Sequence, residues 1–315
     1  MSEQDRDAHW ERSVLEKLAG AALAEQRRAR HWGIFFKMLT FAYLFVLLFL
    51  ALGWIGRSEV VSAGDHTALV DLSGVIAADT DANARDIVAG LEQAFKDKRT
   101  RGIILRINSP GGSPVQAGNI YDEIRRLKAA NPDIPLYAVI GDVCASGGYY
   151  VAVAADRIYV DKASIVGSIG VLMNGFGFTG TLQKLGIERR LFTAGENKGF
   201  LDPFSPLEPQ QKQHAQQMLD EIHQQFIATV RQGRGARLKE TTDMFSGLMW
   251  TGARSVELGL SDAIGSTEYV AREVIKAEHI VNFSRRENLA ERLVRRFGAA
   301  MGEALVQAGG LGALR

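Results

Sequence analysis

Ser146 stands alone in the stretch Cys144-Ala145-Ser146-Gly147-Gly148, with an apolar run behind it. The nearest histidines on either side are His66 and His214. An earlier loop, Asn108-Ser109-Pro110-Gly111-Gly112-Ser113, has the same glycine-rich character. Both loops follow strand-like segments. Glycines allow unusual backbone angles and let the main chain come close to a ligand. A phosphate-binding loop is excluded, because GxxxxGK[ST] is absent and no lysine follows Gly112. Each loop taken alone could be a plain structural turn. Together they describe a hydrolytic site. A serine at a helix start, beside free N–H groups, is placed to attack a carbonyl. The N–H groups of Gly147 and of Gly111 or Gly112 could hold the developing oxyanion. Losing one such donor costs about 10²–10³ in rate.

The serine needs a base. The chain has 6 histidines: His9, His31, His66, His214, His223 and His279. None lies in a loop of suitable neighbourhood, and His214 and His223 fall within a long helical pattern. The G-x-S-x-G elbow is absent, since Cys144 takes the place of its first glycine. Serine–lysine chemistry remains. Lys198 stands out in the Gly-flanked loop TAGENKGFLDPF, whereas Lys162 and Lys184 read as surface residues. A lysine acts as a base only when neutral. Lys198 is therefore expected to be buried, with its pKa well below the usual value of about 10.4.

These loops must be held by a scaffold, and its rhythm is legible. Strands are expected at Thr67–Leu72, Gly102–Ile107, Pro135–Ile140, Arg157–Val160, Ser168–Met173 and Glu188–Thr193. Helices are expected at Asn83–Lys96, Gln116–Ala130, Ser146–Ala154, Thr179–Leu185 and Leu207–Gln232. The last carries Ala215, Met218, Leu219, Ile222, Phe226 and Val230 at helical spacing. Alternating strands and helices imply an α/β fold with a mostly parallel sheet, whose loops at the strand C-termini carry the site.

Composition narrows the class. The 37 Lys and Arg nearly balance the 36 Asp and Glu, so total charge points to no nucleic-acid partner. The only cysteine is Cys144, which excludes an intrachain disulfide and cysteine zinc sites, and no HExxH motif occurs. No metal or cofactor is expected. Met38–Ile55 reads MLTFAYLFVLLFLALGWI, without a charge, and suits a membrane span better than a core helix. Arg6, Arg12, Lys17, Arg27, Arg28, Arg30 and Lys37 precede it, and only Arg57 follows closely. The N-terminus is thus expected in the cytoplasm and the body outside. Val61-Ser62-Ala63 could pass for a cleavage site, but the basic region is too long for an ordinary signal peptide. An uncleaved anchor is the favoured reading. Residues 287–307 form an amphipathic stretch with Leu289, Leu293, Phe297 and Leu305 on one face. It is expected to pack on a neighbour, with a membrane-surface or substrate-mimicking tail as the alternative.

The stretches NSPGGS, ASGGYYVA, VGSIGVL, AGENK and MWTGARSVELGLSDAIG resemble the signal peptide peptidase A family. These are membrane-anchored serine–lysine proteases on the Clp protease–crotonase fold, built from repeated β-β-α units. The resemblance covers roughly Ala68 to Ile264. It implies Ser146 as nucleophile, Lys198 as base, and Ser168 as the hydroxyl that orients the lysine. It also implies the short, single-copy form, in which Ser146 of one subunit would meet Lys198 of a neighbour in a homo-oligomeric ring. The domains then read 1–37 cytoplasmic, 38–55 transmembrane, 56–66 linker, 67–284 protease domain and 285–315 tail. The implied substrates are cleaved signal peptides and other short apolar peptides, at the outer face of a bacterial cytoplasmic membrane. Two alternatives are a crotonase-like acyl-CoA enzyme and a catalytically silent scaffold in membrane quality control. The outward topology argues against the first, and the intact Ser146, Lys198 and Ser168 set against the second.

Overall fold

The computed structural model describes residues 3–51 and 64–285. Helix α1 (Glu3–Ala51) is continuous. Within it Glu25–Phe49 is long and apolar enough to cross a membrane by length and composition, and none of the apolar window is buried. Met38–Ala51 of the expected span belong to α1, whereas 52–55 lie outside the described residues. So do the Val61–Ala63 stretch and the amphipathic stretch at 287–307.

The body lies within a compact unit that runs from Val60 to Arg286. Its elements follow in order: β1 (His66–Ser73), α2 (Ala84–Lys96), β2 (Thr100–Ser109), α3 (Pro114–Ala130), β3 (Leu136–Ala145), α4 (Gly147–Ala152), β4 (Arg157–Val160) and β5 (Ile165–Gly167). Then come α5 (Thr179–Lys184), α6 (Pro209–Arg234), β6 (Met249–Thr251), α7 (Gly252–Glu257), β7 (Ala263–Ile264) and β8 (Ile280–Asn282). The sheet runs β6-β5-β3-β2-β1-β8, with β4 joining β3 to β7. Every pairing is parallel except β5 with β6. Strand β3 forks: Tyr137–Val139 pair with β4, and Val143–Ala145 pair with β5.

The sheet is covered on both faces, which is why β1 to β3 read as nearly continuous apolar runs. One face packs Val70, Leu72, Ile103 and Leu105 against Leu91 of α2, Ile120 and Ile124 of α3, and Val151 of α4. The other packs Leu69, Ile104 and Val139 against Tyr159, Val270 and Ala271. Full burial of each Leu or Ile contributes about 1.5–3 kcal/mol. Caps fix where the covering helices start. The Asn83 side chain accepts from the Asp86 N–H, and Ser113 Oγ accepts from the Gln116 N–H with Pro114 beside it. Such caps are each worth about 1 kcal/mol.

Two expected strands are corrected. Of Ser168–Met173, none is strand; the strand is the preceding β5. Glu188–Thr193 is irregular. Its residues pair with no strand among the described residues, and every residue of the segment is exposed. Strand β3 also runs further than expected, through Gly141 to Ala145. The register shifts between Ile107 and Ser109, and the Asn108 side chain spans the irregularity. Its Oδ1 accepts from the Val143 N–H at 3.1 Å, and its Nδ2 donates to Asp142 Oδ2 at 3.0 Å. Such irregularities commonly re-aim a strand beside a functional site.

Candidate active site

Ser146 stands between β3 and α4 with φ 51° and ψ −123°. That conformation is costly for an L-residue, on the order of 1–2 kcal/mol. The neighbours enforce it. The Ser146 N–H donates to Gly167 O at 2.8 Å, and its carbonyl accepts from the Tyr150 N–H at 3.0 Å. Its hydroxyl makes no capping bond to α4, so it stays available. Below it, Cys144 is sealed in the core, and burial pushes its thiol pKa up. Three residues on, the Tyr149 hydroxyl donates to Leu260 O at 2.7 Å and anchors α4 from beneath.

The 108–113 loop lies against this turn. Gly111 has φ 99°, and a Cβ there would sit 2.7 Å from Ser146 Cβ and from Gly147 N. Gly112 has φ 148°, and a Cβ there would collide with Ile76 O. Both positions therefore demand glycine. The Gly111 N–H donates to Ser109 Oγ at 3.1 Å, and the Gly111 carbonyl accepts from the Ile76 N–H at 2.8 Å. The N–H of Gly112 carries no internal bond among the described residues, and neither does that of Gly147, the first residue of α4. The two face one another closely: a Cβ on Gly147 would lie 3.3 Å from Gly112 N.

Ser168 also has positive φ, 53°. Its N–H donates to Leu248 O at 2.7 Å, which ties the turn to the segment entering β6. From α6, His223 Nε2 sits 3.1 Å from Ile169 O and, as the N–H tautomer, donates to it. A cavity of about 570 Å³ opens over this arrangement. Ser146, Gly112, Gly147 and Ser168 all line it. Its apolar wall comes from Pro114, Tyr150, Leu172, Ile222 and Phe226. The α6 periodicity marked Ile222 and Phe226, but as core-facing residues. Tyr150 lies within the ASGGYYVA stretch but the sequence assigns it no role, and His223 is set aside as a base, because each works through a contact distant in the chain.

Lys198 is not among the residues that line the cavity. It lies in a turn, with its N–H donating to Gly195 O at 3.1 Å, and its side chain is exposed. The burial expected of it is not supplied by this chain alone. The surrounding segment, 171–208, is held by a few contacts of its own. The Phe178 N–H donates to Pro203 O at 2.7 Å, Phe178 stacks on Phe204 at 5.5 Å, and Arg189 pairs with Asp202 at 3.3 Å. Leu172 is 79% exposed, Phe176 82% and Phe192 91%.

The fold and this site define a Clp-protease-like class of protein, and residues 65–166 match the Clp protease family model. Residues 128–281 match the model for peptidase family S49. A Synechocystis protein described as a candidate protease is 30% identical over 201 residues, which cover 64% of this chain and 70% of that one. The chain belongs to peptidase family S49. An Enterococcus faecium protein described as a candidate signal peptide peptidase SppA is 30% identical over 186 residues, covering 59% of this chain and 54% of that one. A Brucella melitensis protein named as the Na(+)/H(+) antiporter NhaA is 47% identical over 175 residues, 56% of this chain. The chain spans about half the length of the enterococcal relative and 24% of the Brucella protein.

Proposed function

We propose that the chain is a membrane-anchored serine endopeptidase that cuts short apolar peptides, cleaved signal peptides among them. The observation that carries the reading is the meeting of Ser146, Ser168 and two unpaired N–H groups, Gly112 and Gly147, around one apolar-walled cavity. Ser146 Oγ attacks the peptide carbonyl carbon. The carbonyl oxygen, now negative, takes hydrogen bonds from Gly112 and Gly147, while Gly111 supplies the turn. The Ser146 proton passes to Lys198 Nζ, oriented by the Ser168 hydroxyl, and then to the leaving amine. Water next cleaves the acyl-enzyme by the reverse sequence.

Lys198 reaches that position from a second copy of the chain. An exposed lysine on a segment with large uncovered apolar side chains supports this, because such patches mark interaction surfaces. Covering the segment also strips water from the ammonium, which favours the neutral form a base requires. The apolar wall of the cavity and the name of the enterococcal relative support apolar signal peptides as substrates. Arg27, Arg28 and Arg30, followed by Trp32 where the apolar run begins, support a cytoplasmic N-terminus and an external body.

The test mixes two inactive proteins, Ser146→Ala and Lys198→Ala. In a randomly mixed ring about a quarter of the interfaces join an intact serine to an intact lysine. Activity should recover toward that fraction. No recovery in mixtures shown to exchange subunits overturns the shared site. Failure of a fluorophosphonate to label Ser146 in the wild-type protein overturns the peptidase reading itself.

A further inference from the structure

We infer that Ser109 is a positioning residue whose buried hydroxyl aims the oxyanion-binding N–H of Gly112, an inference that rests on the Ser146 reading above. Ser109 ends β2 and is fully buried. Its hydroxyl is used in both directions. It donates to Gly74 O at 2.6 Å and accepts the Gly111 N–H at 3.1 Å. It is therefore sealed from substrate and cannot itself react. It links the turn after β1 to the glycine loop.

The link fixes a direction. Ser109 holds the Gly111 N–H, in the peptide between Pro110 and Gly111, and Ile76 holds the Gly111 carbonyl at 2.8 Å, in the next peptide, which also carries the Gly112 N–H. The Ser113 N–H, donating to Ile76 O at 2.8 Å, holds the far side of Gly112. A trans peptide points its N–H opposite to its C=O. With the Gly111 carbonyl turned to Ile76, the Gly112 N–H must point away from Ile76, and Gly112 lines the cavity beside Gly147. Ser109 also bears on the second donor. A Cβ on Gly148 would lie 3.1 Å from Ser109 O and 3.3 Å from Ser109 Cβ, so α4 rests on this residue. The hydroxyl thus registers the Gly112 side, while the carbonyl and Cβ of Ser109 support the Gly147 side, and neither touches the reacting atoms.

The experiment uses the full-length protein and an apolar fluorogenic peptide, with active sites counted by fluorophosphonate labelling of Ser146. In Ser109→Ala, kcat per titrated site should fall by about 10-fold or more, toward the 10²–10³-fold of outright donor loss. KM should stay within about 2-fold. A peptide aldehyde forms a tetrahedral adduct whose oxygen needs the same donors. Its affinity should fall in step with kcat/KM, while that of the product acid stays level. Ser109→Cys keeps the shape with a weak donor, and should fall between the two. It also serves if Ser109→Ala does not fold. Wild-type kcat and aldehyde affinity per titrated site in either folded variant overturn the inference, even if the melting temperature drops. A wild-type protein that is neither labelled at Ser146 nor active overturns the underlying reading as well.

Discussion

Around Ser146, the chain supplies its own walls. Cys144, Tyr149, Val166 and Ile169 are fully buried, and the serine's own N–H and carbonyl are both bonded. Around Lys198, it supplies none. From Gly170 to Gln225 no described residue is buried, although the segment carries Leu172, Phe176, Leu185, Ile187 and Phe192. A side chain held by a packed sheet keeps its aim in the isolated subunit. A side chain on an uncovered segment gets its aim from whatever covers it. The proposed nucleophile is thus held by the fold, and the proposed base would be held by the proposed assembly.

Ways to break that comparison begin with the two reactive groups. Ser146→Ala and Lys198→Ala should each lower turnover by about 10⁴-fold or more. They should part in a second readout, the melting temperature of the dissociated subunit. Lys198→Ala should leave stability within about 0.5 kcal/mol, since the side chain is exposed. A large loss of subunit stability in Lys198→Ala would show that the segment is integral to the fold after all.

The next effect lies under the nucleophile. Arg234, 1% exposed, holds Asp262 through a forked pair at 2.8 and 2.9 Å, and Asp262 also accepts the Ile158 N–H at 2.7 Å. Burial pushes the Asp262 carboxyl up, but the hydrogen bond and charge of Arg234, the Ile158 N–H and Arg237 outweigh it. The net pKa lies below the ordinary 3.8. The stability this contributes is complete above that ordinary value, and is lost as pH falls through the lowered one. Asp262→Asn should destabilise the body by about 3–5 kcal/mol at neutral pH, because Arg234 is left buried and unpaired. It should also flatten the acid limb of a stability–pH curve. An unchanged acid limb would remove Asp262 from the account.

Smaller effects sharpen the contrast. Phe192→Glu should leave the folded subunit intact, and weaken assembly by about 2 kcal/mol, roughly 30-fold, in sedimentation velocity. Assembly at wild-type strength would mean that this face is not the interface. Ser146→Gly should be more stable than Ser146→Ala by about 1 kcal/mol, since glycine accepts the positive φ that both Ser and Ala resist. Equal melting temperatures would mean the turn is not strained.

The same contrast explains what the sequence disclosed. The strand–helix rhythm from Thr67 to Val160 was legible because each element buries its own apolar residues against the next. The glycines at 111 and 112 were legible because only glycine fits where they stand. The strand expected at Glu188–Thr193 failed because its apolar pattern is exposed and pairs with no strand among the described residues. Likewise β8 was missed, since three residues are too few to show a period. Lys198 was legible by residue type and loop, but its expected burial was not, since the described segment around it is exposed. His223 was dismissed as a base, and nothing local announced that its ring reaches Ile169 O.

Cys144 is the penultimate residue of β3, two positions before Ser146, and it is the chain's single thiol. Burial keeps it in the unreactive protonated form and out of reach of alkylating reagents. It becomes modifiable only when the end of β3 parts from its neighbours. Its alkylation rate therefore clocks how often the catalytic turn breathes, with no label added and no residue changed. Substrate, inhibitor or subunit contact that slows this clock acts on the turn itself. One that leaves it running acts elsewhere.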